Sequence, residues 1–250
     1  MKYRFKKYFA EFLGTMIFVF LGCGAGITVG MDHKKGTGYL ITALVFGIVY
    51  VVLYYGLARI SDCHLNPAVS LSMLIAKKID VFDFLGYTVA QLAGAFGACG
   101  IMTGVFWGHT GSYGANTYYD AEPIVSVVIE LIVTMVLVSV FLQSSKLSEG
   151  FLGLYRGLGV LLVYLFSIQL TGGSANPAKS IATAVFAGSE AITESLVYVA
   201  GAFAGAIIAA LIYKLFEKGK DEGCMSELPQ IKETSEEKTG LENPVEEMDE

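Results

Sequence analysis

Two short words place polar, helix-starting chemistry inside an otherwise apolar chain. They are His64-Leu65-Asn66-Pro67-Ala68-Val69-Ser70 and Ser174-Ala175-Asn176-Pro177-Ala178-Lys179-Ser180, which share Asn-Pro-Ala and stand 110 positions apart. Asn is a favoured N-cap, and Pro is tolerated at the first helical position because its missing N–H had no partner there. Each Asn can cap its own helix with its side-chain oxygen and turn its amide donors toward a lumen. Two such donors at one level would hold a passing water by its oxygen and turn its hydrogens away along the path. The positive ends of two helices at the same level would repel hydronium and other cations. The chemistry implied is conduction of a neutral molecule without a proton relay. No nucleophile–base constellation suggests an enzyme. Cys23, Cys63, Cys99 and Cys224 show neither metal-ligand spacing nor a disulfide framework, so no metal or cofactor is expected.

Such helix starts need elements to hold them. The chain has 250 residues, 54% hydrophobic and only 16% charged, where a soluble domain carries about 25% charged residues. Mean hydropathy is +0.58. Apolar runs at 8–31, 39–58, 82–107, 123–143, 152–170 and 195–216 are each near the ~20 residues that a spanning helix needs. The composition therefore predicts an all-α membrane protein with six transmembrane helices. The first run exceeds the ~7–15 residues of a cleaved signal's apolar region and carries Glu11 early, so it is expected to remain as the first span. Lys2, Arg4, Lys6, Lys7, Arg59, Lys77, Lys78, Lys146, Arg156, Lys214, Lys218 and Lys220 fall on one side of the predicted spans, and only Lys34, Lys35 and Lys179 on the other. By the positive-inside rule both termini are expected in the cytoplasm of a multi-pass cell-membrane protein. Residues 217–250 are Glu-rich and lack apolar periodicity; they are expected to form a disordered cytoplasmic tail. No basic stripe points to nucleic acid.

The remaining 1–216 read as a doubled unit, with repeats at about 5–107 and 123–216. Glu11 to Thr15 in the first span echoes Glu130 to Thr134 in the fourth, and Tyr87 to Ala95 echoes Tyr198 to Ala206. Three spans per half is an odd number, so the second half must be inverted relative to the first. Each Asn-Pro-Ala word lies between the second and third spans of its half, where it predicts a half-helix of about 16 Å, roughly half of the hydrocarbon core. Two half-helices entering from opposite faces would meet at Asn66 and Asn176. Irregular backbone at that depth must line a cavity or be buried in protein. Gly86, Gly94, Gly97, Gly100, Gly104, Gly157, Gly159, Gly201 and Gly205 predict close helix packing.

Across about residues 5–216 the chain resembles the aquaporin, or major intrinsic protein, family. The resemblance rests on the six spans, both Asn-Pro-Ala boxes, the two repeat Glu residues and the Gly172-Gly173-Ser174 lead-in. It implies an aquaporin-like inverted repeat, a homotetramer in the lipid bilayer with one pore per subunit, and water or small uncharged solutes as the molecules carried. It also implies that Glu11 and Glu130 brace the half-helix loops, and that Phe46, Tyr164, Gly173 and Lys179 form the outer selectivity filter. Here the chain departs from the family pattern: Lys179 stands where Arg is usual, and Tyr164 where water-type members have His and glycerol-type members Gly. Lys lacks the planar fork of Arg, and either occupies the constriction or snorkels to the outer surface. Ser180 and Ala184 follow the second box where glycerol channels characteristically carry Asp, which leans toward water. Cys63 is expected either as a pore-lining thiol or as a buried one, and His64 as the family's cytoplasmic-side pore histidine or a loop brace. Asp62, another departure, is expected to pair with Arg59.

A water channel excluding protons and ions is thus the function expected, with a glycerol or other small-solute channel as the alternative. A secondary transporter is disfavoured because its coupling carboxylate is missing at the midplane. The short outer connections argue against an adhesive junction protein.

Overall fold

The computed structural model describes residues 2–29, 37–108, 111–116, 122–144 and 147–221. They form eight helices: α1 (Lys2–Val29), α2 (Gly38–Ser61), α3 (Pro67–Ile75), α4 (Val81–Val105), α5 (Pro123–Ser144), α6 (Glu149–Thr171), α7 (Pro177–Ala187) and α8 (Ser189–Asp221). Lys34, Lys35, Lys146, Cys224 and the acidic tail from 222 onward lie outside the described residues. Six helices are long and apolar enough to cross a membrane. The two others, α3 and α7, are the half-helices, starting at Pro67 and Pro177. Helix continues beyond the apolar runs at both ends of the chain: α1 begins at Lys2 and α8 runs to Asp221, because Lys and Glu favour helix as well as most apolar residues do. The expected tail boundary at 217 therefore falls inside α8.

The repeat is visible in the packing. α1 lies along α4 and α5 along α8, while α2 meets α6 where the two repeats join. Each half-helix also crosses into the other repeat, α3 against α8 and α7 against α4. Small residues allow these approaches. A Cβ on Gly94 would stand 2.3 Å from the Phe12 carbonyl oxygen, and one on Gly205 would stand 2.3 Å from that of Leu131. At the α2–α6 crossing, Gly47 and Gly157 face each other, and a Cβ on Gly157 would lie 3.0 Å from the Gly47 oxygen. Not every expected packing glycine is one: a Cβ at Gly100 or Gly104 would meet nothing within 4 Å.

The entries to the half-helices explain how polar chain survives at this depth. α2 ends at Asp62 and α6 at Gly172, both left-handed, with φ of 68° and 73°. The left-handed turns then recur in step, at Cys63 and Leu65 in one repeat and at Gly173 and Ala175 in the other. Left-handed backbone costs an L-residue about 1–2 kcal/mol, so four non-glycine residues hold this shape only against local strain. The turns aim successive N–H groups inward, forming a concavity suited to an anion. A carboxylate fills each one, as described next.

Candidate functional site: the paired half-helix starts

Glu11 Oε1 accepts hydrogen bonds from the His64 N–H (2.9 Å) and the Ser61 hydroxyl (2.8 Å). Its Oε2 accepts from the Leu65 N–H (2.7 Å) and the Gln91 side-chain amide (2.8 Å). In the second repeat Glu130 accepts from the Ala175 N–H (2.7 Å), the Ser174 N–H (3.4 Å) and the Thr171 hydroxyl. Both carboxylates are fully buried. A buried acceptor of this kind requires such donors, and the left-handed turns supply them.

The two half-helices then meet. Asn66 Oδ1 accepts from the Ala68 N–H (2.9 Å), and Asn176 Oδ1 from that of Ala178 (3.1 Å), each capping its own helix. The amides cross over: Asn66 Nδ2 donates to the Ala175 carbonyl (2.7 Å), and Asn176 Nδ2 to that of Leu65 (2.9 Å). This corrects the expectation that the amide donors all face a lumen. One hydrogen of each amide fastens one repeat to the other, and one remains. Asn66 and Asn176 line a small cavity together with Phe18, Leu137, Val160 and Tyr164, among others. Its volume of about 20 Å³ matches a single water, which needs at least about 10–15 Å³ by this measure.

On the α7 side, Phe46 and Tyr164 stack with ring centroids 4.1 Å apart. A Cβ on Gly173 would come within 3.0 Å of the Tyr164 ring. Lys179 does not reach the surface; it is 1% exposed. Its Nζ donates to the carbonyls of Gly173 (2.9 Å) and Gly114 (3.2 Å) and lies 3.5 Å from Asn116 Oδ1. Asn116 also donates to the Thr171 carbonyl and accepts from the Ser180 hydroxyl. Asn116 escaped notice in the sequence because a lone Asn in a loop carries no periodic or motif signal.

On the opposite side, His64 lines both the central cavity and a recess of about 250 Å³ that includes Lys7, Arg59, Asp62 and Lys78. His64 Nδ1 lies 3.1 Å from the Ser70 hydroxyl. Cys63 is fully buried and outside the lining of both spaces; its carbonyl accepts from the Tyr50 hydroxyl. The guanidinium that meets Asp62 belongs to Arg156 (3.2 Å), not to Arg59. Arg156 comes from α6, 94 positions away, a distance at which sequence proximity to Arg59 is no guide.

Six spans, an inverted repeat and a polar site where two half-helices meet define a multi-pass membrane channel. Residues 2–213 match the model of the family described as Major intrinsic protein. The chain is 34% identical to Aquaporin Z of Brucella melitensis over 83% of this chain and 96% of that one. It is 31% identical to Aquaporin Z of Rhodopseudomonas palustris, over 84% of this chain and 92% of that one. The solved X-ray structure of the aquaglyceroporin from Plasmodium falciparum shares the fold, with a TM-score of 0.76 at 22% identity over 88% of this chain and 99% of that one. The chain belongs to the major intrinsic protein family, whose members are channels rather than enzymes.

Proposed function

We propose that this chain is a passive water channel that excludes protons and ions. The observation that carries this is the Asn66–Asn176 pair: each side chain caps one helix, ties to the opposite repeat and keeps one amide hydrogen beside a cavity of about 20 Å³. Two donors and two helix N-termini hold a water by its oxygen and oppose a positive charge. Phe46, Tyr164, Gly173 and Lys179 act as the filter at the other end of the stack, the two rings limiting size and Lys179 opposing cations. Glu11 and Glu130 act as the braces that keep the half-helix entries in place. The named Aquaporin Z relatives lean the same way.

We infer further that the chain works as a homotetramer in the cell membrane with both termini in the cytoplasm. Lipid or neighbouring subunits then cover exposed apolar side chains such as Ile48, Val52, Leu162 and Phe166. Residues 217–250 serve as a cytoplasmic tail.

A second reading, a channel for glycerol or other small uncharged solutes, is favoured by Gly173, which adds no side chain beside Tyr164. Stopped-flow light scattering on vesicles containing the purified chain decides between them. Water flux well above that of empty vesicles, with glycerol flux near the empty-vesicle rate, supports the water channel. Comparable glycerol flux supports the second reading. Proton flux that rises in step with water flux overturns the role given to the Asn pair.

A further inference from the structure

His64 stands where two spaces meet, since it lines both the central cavity and the recess of about 250 Å³. Its hydrogen bonds fix which ring nitrogen carries the proton. The Ser70 hydroxyl donates its one hydrogen to the Asn66 carbonyl (3.1 Å) and accepts from the Gln91 side-chain amide (3.0 Å). His64 Nδ1, 3.1 Å from the same hydroxyl oxygen, is therefore a donor, which leaves Nε2 of the neutral ring with a lone pair. Nε2 is buried and makes no hydrogen bond.

That lone pair faces another acceptor. Asp62 Oδ2 lies 3.5 Å from Nε2, and the Asp62 side chain is half-exposed in the lining of the recess. Two acceptors this close leave each other unsatisfied unless a positive centre joins them. Tetrahedral zinc has bonds of about 2.0–2.2 Å to imidazole nitrogen and carboxylate oxygen, and holds two such ligands roughly 3.4 Å apart. The spacing of Nε2 and Oδ2 is that of two ligands on one ion.

The groups around the pair are those that hold metal ligands in place. A ligating imidazole donates its other ring N–H to an acceptor, which fixes the ring and the direction of its lone pair. Ser70 Oγ is that acceptor. A ligating carboxylate is itself hydrogen-bonded. Arg156 Nη1 donates to Asp62 Oδ1 (3.2 Å), while Nη2 stands farther from Oδ2, at 3.5 Å. The oxygen turned toward His64 is thus the less engaged of the two.

Charge and ligand number set the kind of site. Among the described residues no group of three or more His, Cys, Asp or Glu converges, so water completes the coordination. Lys7, Arg59 and Lys78 also line the recess, and Lys7 is paired with Asp83 at 2.9 Å. Their charge opposes any cation, which makes binding reversible rather than structural. An imidazole ligand favours zinc, copper or nickel over magnesium and calcium, which take oxygen.

We propose that His64 Nε2 and Asp62 Oδ2 form a binding site for a divalent transition-metal ion such as Zn²⁺, and that the bound ion closes the passage between the recess and the central cavity. The block rests on the channel function given above; the binding does not. Ser70 and Arg156 are the positioning residues, one holding the ring and the other the carboxylate.

The test uses vesicles carrying the full-length chain, with Zn²⁺ on both faces. Water flux is expected to fall saturably with Zn²⁺, to recover with EDTA and to be unmoved by Mg²⁺ at the same concentration. Each variant is compared with its own flux without metal. Asp62→Asn keeps the shape but loses the anionic ligand, and is expected to raise the half-blocking Zn²⁺ concentration about tenfold or more. His64→Ala removes the nitrogen and is expected to abolish the block; if it is not recovered folded, Asp62→Asn decides. Calorimetric titration of Zn²⁺ into the purified chain in detergent reads binding without flux, and should show a site weakened by Asp62→Asn to the same degree. Wild-type flux unmoved by Zn²⁺, an equal block by Mg²⁺, or a block of unchanged strength in Asp62→Asn overturns the proposal and leaves the channel reading in place. Wild-type water flux at the empty-vesicle rate overturns the channel reading and the block with it, and the titration then decides the binding site alone.

Discussion

The rings of Phe46 and Tyr164 lie face to face, 4.1 Å apart at their centroids and inclined by 22°. Phe46 is also locked from behind, since a Cβ on Gly22 would fall 2.0 Å from its ring. A ring that cannot retreat makes Tyr164 the adjustable half of the pair. Tyr164→Ala is expected to raise glycerol flux about fivefold or more relative to water, because a size limit set by packing yields when the larger ring is removed. Stopped-flow measurements on reconstituted vesicles check this, and an unchanged ratio places the size limit elsewhere.

Lys179 is enclosed by oxygen acceptors, the carbonyls of Gly173 and Gly114 and Oδ1 of Asn116. Lys179→Met removes both the positive charge and the donor. Each carbonyl left buried without a partner costs about 1–3 kcal/mol, so the unfolding temperature falls. Proton flux measured with a pH-sensitive dye inside vesicles is expected to rise above that of wild type. Lys179→Arg retains the charge and is expected to keep proton flux at the wild-type level.

Glu11 accepts from four donors and Glu130 from three. Glu→Gln at either position either turns an amide NH2 toward a backbone N–H, which can only donate, or forces a hydroxyl to reverse its role. Each substitution is expected to destabilise by about 3 kcal/mol, the loss of a buried acceptor from its donors. Glu11→Gln should be the more harmful by one donor. Thermal unfolding in detergent ranks the two, and equal midpoints to wild type would remove the bracing role.

Two glycines in α4 separate packing from propensity. A Cβ on Gly94 would meet the Phe12 backbone oxygen at 2.3 Å, whereas Gly104 faces open space. Gly94→Ala must push α4 away from α1 and is expected to destabilise by about 1–3 kcal/mol. Gly104→Ala meets no obstacle and is expected to stabilise by up to about 1 kcal/mol through helix propensity. Thermal midpoints of opposite sign are the outcome expected.

Asp62 sets an acid limit. Burial opposes its ionisation, yet the His64 ring, whose Nε2 lies 3.5 Å from the carboxylate, and the charge of Arg156 outweigh it and hold the carboxyl at about 2, below its ordinary 3.8. A carboxyl lowered on folding stabilises fully above its unfolded value and loses that contribution as pH falls through its folded value. Stability owed to Asp62 is therefore complete above about pH 4 and is lost as pH approaches about 2. Thermal midpoints measured from pH 6 downward should fall less steeply below pH 4 for Asp62→Asn than for wild type.

The sequence by itself determined whatever depends on neighbours along the chain. Six long apolar runs specify six spans because hydrocarbon thickness acts on each segment separately. Asn66 and Asn176 specify helix starts because a cap bonds to an N–H only two residues on. The odd number of spans per half required the second to be inverted. Only the tertiary structure decided the pairings between residues far apart in the chain. Among these are the Asn amides reaching the carbonyls of Ala175 and Leu65, Lys179 turning inward to Gly114, and Asp62 meeting Arg156 rather than Arg59. The reason is physical: in a buried site each donor takes whichever acceptor the packed helices bring within about 3 Å. That choice is made by the crossings of α2 with α6 and of each half-helix with the other repeat, not by order along the chain.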